Sequence, residues 1–92
     1  MKTSVNLNFL RIPMSMLYDI AQPELFPGLS PAQIERLTQE YTPEELAGIL
    51  QALDFAQQNP TYDFKALMND LPHGNAQISE FLRRIRVSIP FS

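Results

Sequence analysis

His73 is the only histidine among the 92 residues, and its side chain is the first to weigh for chemistry. An imidazole can serve as a general base or a metal ligand near neutral pH. Here it stands in Leu71-Pro72-His73-Gly74, a run whose proline and glycine signal a loop. The expectation is therefore an exposed turn residue. A metal centre needs three or four converging ligands. Asp63, Asp70 and His73 could supply a weak oxygen-rich cluster, but their spacing matches neither a calcium loop nor a zinc site.

Glu44, Glu45 and Asp54 could be posed as an acid–base pair. The first two are better explained by a helix start, where a capping box and the helix dipole both favour acids. Asp54 falls on the polar stripe of the same helix. No cysteine is present, which removes thiol nucleophiles, thiolate metal sites and disulfides together. Three glycines cannot build a phosphate cradle, and the sequence contains no G-x-S-x-G, Walker or dinucleotide fingerprint. These exclusions predict a non-enzyme with no cofactor and no metal.

The basic patch is Phe81-Leu82-Arg83-Arg84-Ile85-Arg86. Arg83, Arg84 and Arg86 could meet nucleic acid or an acidic partner. Cations near a helix C-terminus are also favoured by the dipole without any partner. The rest of the charge argues against a phosphate backbone. All ten acidic residues lie between Asp19 and Glu80, against only Arg36 and Lys65, so that stretch carries −8. Lys2, Arg11 and the three arginines give the ends +5. Nucleic acid is disfavoured as a partner.

The elements that must position these groups are well punctuated. Ser30-Pro31-Ala32-Gln33 and Thr42-Pro43-Glu44-Glu45 are both capping boxes with proline at the first helical position. They start helices over Pro31 to Tyr41, with Ile34, Leu37 and Tyr41 on one face, and over Thr42 to Gln58, ended by Asn59-Pro60. The second helix is apolar around more than half its circumference, leaving Glu44, Gln51, Asp54 and Gln58 as a narrow polar stripe. It is expected to be a central helix contacted on two sides, or on one side by its own domain and on the other by a partner. Its small residues Gly48, Ala52 and Ala56 predict a close approach by a neighbour, expected within the chain.

Phe64, Leu67, Met68 and Leu71 predict a third helix beginning after Asp63. Ile78, Phe81, Leu82 and Ile85 predict a fourth, capped by Asn75. A weaker helix over Pro13 to Ala21 would bury Leu17 and Ile20. Met14, Met16 and Met68 offer soft, adaptable contacts, more often core filler than partner surface. The ends alternate instead: Val5, Leu7, Phe9 and Val87, Ile89, Phe91 have the period of strands, although Ile85 and Ile89 also continue the helical face and Pro90 excludes a central strand position.

Ninety-two residues with 45% hydrophobic side chains make one domain with a modest core. The predicted fold is all-α: residues 1–92 form a compact bundle of four to five short helices, with extended termini that could pair as strands. Neither a signal peptide nor a membrane span is expected, and the lack of cysteine favours a reducing, cytoplasmic compartment.

The resulting functional expectation is an acidic protein-interaction module of the adaptor, chaperone, inhibitor or immunity type. Its partner would be another protein or a second copy, held through Val5, Leu7, Phe9, Arg83, Arg84, Arg86, Val87, Ile89 and Phe91. The alternative is a small dimeric transcriptional regulator touching DNA through the arginine patch. The second capped helix is no recognition helix, because Glu44 and Glu45 would face phosphate.

Overall fold

A proline behind a hydroxyl cap starts each of the first two long helices. The computed structural model describes residues 5–20 and 22–90. It contains α1 (Arg11–Met14), α2 (Pro31–Glu40), α3 (Pro43–Gln58) and α4 (Asn75–Ser88), linked by short 3-10 turns. Both expected capping boxes are present. Thr42 Oγ1 accepts from the Glu45 amide at 3.1 Å, while Glu45 Oε1 accepts from the Thr42 amide at 2.8 Å. Ser30 and Gln33 do the same for α2.

α3 is the central helix. It buries Ile49, Leu50, Ala52, Leu53 and Ala56 against α4 and the N-terminal segment, with α2 alongside. Glu44, Gln51 and Gln58 are exposed and Asp54 is half-buried, so the polar stripe lies where its residue types require. The small-residue stripe has an internal neighbour. A methyl group added to Gly48 would overlap the Phe9 ring, which packs against the helix there.

The N-terminal strand reading is corrected. Leu7–Leu10 is a 3-10 turn that runs directly into α1 and then into a second turn, Ser15–Asp19. Leu10, Pro13, Met14 and Leu17 are all buried at i, i+3, i+4, i+7, and this longer helical period overrides the two-residue alternation of Val5, Leu7 and Phe9. The C-terminal strand reading fails similarly. Val87 belongs to the last turn of α4, and Ile89 continues the helical face after Ile85 and is buried. Phe91 lies outside the described residues. No strand occurs among the described residues.

The third helix shrinks to a 3-10 turn, Phe64–Leu67. The segment after it is shaped by polar anchors instead of a helical ladder. Lys65 Nζ donates to the carbonyls of Leu71 and His73, the latter at 2.9 Å. The Asn75 side chain accepts from the Lys65 amide at 3.1 Å and donates to the Tyr62 carbonyl at 2.7 Å. Asn75 is therefore the first residue of α4 rather than its cap. Gln77 reaches back to the Gly74 amide at 2.9 Å.

Phe64, Phe81, Leu53, Ile78, Leu82 and Ile85 sit at the centre of one buried cluster, joined by Leu10, Met14 and Leu17 from the N-terminal run. The radius of gyration is 12.5 Å, which fits a chain of this length folded around one core.

Candidate interaction groove

α2 carries too few apolar residues to seal itself onto the core. Within its ten residues only Ile34 and Leu37 are large and apolar, and no residue of the helix is buried. One face carries Gln33, Arg36, Leu37 and Glu40, at i, i+3, i+4 and i+7; of these Leu37 is half-buried and the others are exposed. Two devices fix where the helix begins. Gly28 holds a φ of 111° and presses so closely on α4 that an added Cβ would lie 2.8 Å from Ser88 Cβ. Ser88 Oγ also accepts from the Leu29 amide at 3.0 Å. At the far end Tyr41 leads straight into the Thr42 cap of α3. The helix is held at both ends and loose along its middle.

An apolar groove of about 250 Å³ therefore remains beside α2. Its floor comes from three elements: Ile12 and Met16 of the N-terminal run, Ile49 and Leu53 of α3, and Ile85 and Ile89 of α4 and its end. The volume falls below the roughly 300–1,000 Å³ of a small-molecule pocket, and suits a few anchoring side chains better. Arg36 and Glu40 are the charged groups lining it. Neither forms an ion pair among the described residues. The lining contains no nucleophile beside a base. Among the described residues no three His, Cys, Asp or Glu side chains converge on a metal position.

The arginines of the predicted site are not free. Arg83 donates from Nε and Nη2 to both oxygens of Glu80, and Arg84 Nε donates to Glu80 Oε2 at 2.7 Å. These two guanidinium groups hold the Glu80 carboxyl at about 2, well below its ordinary 4.5. Arg84 also donates to the Phe26 carbonyl at 3.0 Å, which helps clamp the loop before α2. Arg86 donates to Asp54 at 2.7 Å, joining α4 to α3.

The apolar members of that predicted site separate. Val5, Leu7 and Phe9 are half-buried against the chain's own core, Ile89 lines the groove floor, and Val87 is 62% exposed. The structure does not bring these residues together as one surface.

His73 also departs from expectation. It is only 5% exposed, and Nε2 lies 2.6 Å from the Ile20 carbonyl, so this nitrogen carries the proton and donates. Nδ1 is buried and has no hydrogen-bond partner among the described residues. The ring is a structural joint between the N-terminal run and the loop before α4. Across the same region Tyr18 donates to Asp70 at 2.6 Å, which raises the phenol above its ordinary range.

The sequence reading missed the groove because Leu37, Tyr41 and Met16 all passed as core residues. The available signal was the polar trio Gln33, Arg36 and Glu40, which shares a face with Leu37.

Comparison of the chain with protein-family models, curated proteins and solved structures found no significant match.

Proposed function

We propose that this chain is a non-enzymatic protein-interaction module that receives an apolar segment of another protein in the groove beside α2. The observation that carries this reading is the groove itself, in which half-buried Ile12, Met16, Leu37 and Tyr41 lie over buried Ile49, Leu53, Ile85 and Ile89, beside a helix that buries none of its residues. Burying a large apolar side chain contributes about 1.5–3 kcal/mol, so two or three anchors would support association. An enzymatic reading draws no support from the lining, whose one phenol, Tyr41, makes no hydrogen bond to a base among the described residues. The reading as a DNA-contacting dimer draws none from Arg83, Arg84 and Arg86, which hold Glu80 and Asp54. The absence of cysteine from the sequence supports a reducing, cytoplasmic setting.

A photoactivatable residue placed at Gln33, on the groove, should cross-link a partner in the native lysate. The same residue at Gln57, on the exposed side of α3, should not. Adding Leu37→Asp should abolish the Gln33 product. Equal products from both positions, or a Gln33 product indifferent to Leu37→Asp, would remove the groove from the function.

A further inference from the structure

The charge around the groove selects among protein partners. α2 and the first turn of α3 carry Glu35, Glu40, Glu44 and Glu45, all exposed, against the single cation Arg36. Glu45 is engaged in its capping box, and the other three carboxylates form no ion pair among the described residues. Glu40 lines the groove itself, and because the two helices are linked by Tyr41 and Thr42 alone, Glu44 and Glu45 follow it closely along the chain, while Glu35 lines a neighbouring depression with Pro31 and Ile34. Elsewhere the acidic charge is partly neutralised internally: Glu80 holds two arginines and Asp54 a third. The segment beside the groove thus carries −3, four carboxylates against Arg36, which equals the net charge of the whole chain. Such a charge raises the encounter rate with cations and disfavours anions.

Resting on the groove reading, we infer that the partner is a basic amphipathic helix: large apolar residues at i, i+3 or i+4, and i+7, flanked by Lys and Arg. Helices docking in grooves anchor through that spacing, one side chain per depression. The groove's 250 Å³ accepts such anchors and not a whole helix. The flanking cations would meet Glu40 and Glu44, while Arg36 limits how far positive charge extends along α2. A second copy of the chain is a poor occupant. Two-fold pairing brings the same surface onto itself, which would set one acidic segment against the other. An acidic membrane surface is repelled on the same ground.

The test uses the full chain and two fluorescent peptides of about 18 residues, roughly five helical turns. Both carry one identical leucine stripe; one has lysine flanks, the other glutamate flanks. Fluorescence anisotropy should show the leucine–lysine peptide binding at least about tenfold tighter, a difference of about 1.4 kcal/mol. High salt, about 0.5 M, should shrink that preference by screening the exposed charges. Glu40→Lys should shrink it too. Gln33→Trp, which places a bulky ring over the groove from an exposed helix position, should weaken both peptides, with the fold checked by circular dichroism. Equal binding of the two peptides, or preference for glutamate flanks, overturns the basic-partner inference. If Gln33→Trp still weakens binding in that case, the groove reading survives. Binding indifferent to Gln33→Trp overturns both.

Discussion

Gly48 and Phe9 meet so closely that their interaction reverses an ordinary rule. In a helix interior Gly→Ala normally gains about 1 kcal/mol from backbone propensity. Here the added methyl would overlap the Phe9 ring. Gly48→Ala should therefore destabilise the fold by about 1 kcal/mol, at the low end of overpacking costs. In a Phe9→Ala background the same change should become stabilising. Denaturant midpoints of the four proteins measure this coupling, and a stabilising Gly48→Ala in the otherwise native chain would refute it. His73 supports a second expectation. Its ring is buried and bridges to the Ile20 carbonyl, so His73→Ala should cost about 1–3 kcal/mol, the penalty for a buried hydrogen-bonding group left unpaired. A surface-like cost below about 0.5 kcal/mol would show that the joint contributes nothing. Glu80 supplies a pH signature. Its folded-state carboxyl is depressed from 4.5 to about 2, so the ion pairs stabilise the fold above that range. Their contribution is lost as pH falls from about 4.5 to about 2. The stability gap between the native chain and Glu80→Gln should close over that window. A third of this side chain is exposed, so the gap is modest. A gap that stays constant on acidification would contradict the pairing. Residue roles were partly legible in sequence. Glu80 with Arg83 and Arg84 follows the i, i+3 and i, i+4 rule. Arg86 with Asp54 spans 32 residues, and His73 with Ile20 spans 53; no local pattern announces either.

At the scale of elements, local chemistry was read well and competition between patterns was read poorly. α2 and α3 begin at their capping boxes, and α3 ends at Gln58 as Asn59-Pro60 requires. Those signals lie within four residues of the ends they govern. The third helix failed because Lys65 and Asn75 claim backbone groups across a loop, a contest visible only once the chain has folded. The terminal strands failed because two periods overlap in Val5 to Leu17, and burial selects the helical one. α2 is the element whose independence matters for function. It buries no residue, while α3 and α4 supply most of the core. Its amides should exchange with solvent hydrogen faster than those of α3 and α4, because local opening exposes little apolar surface. Native-state hydrogen exchange measures this directly. Protection in α2 equal to that of α4 would mean the helix is sealed onto the body and that the groove is not open.

For the whole molecule, one core organises the N-terminal run, α3 and α4, and α2 is an acidic flank standing beside it. No helix among the described residues is long and apolar enough to cross a membrane. Caps, periodicity and stops indicate an all-α fold, and charge an acidic one. They could not indicate the groove, which exists because six floor residues from three separated segments converge beside a helix that buries none of its own residues. The central claim is that this groove is where a partner segment binds. Methyl NMR during titration with the leucine–lysine peptide tests it most directly. Signals of Ile12, Met16, Leu37, Ile49 and Ile89 should shift together and saturate together, while those of Leu25 and Val87, exposed but outside the groove, stay in place. Shifts confined to Leu25 and Val87, with the groove methyls unmoved at saturation, would contradict the account.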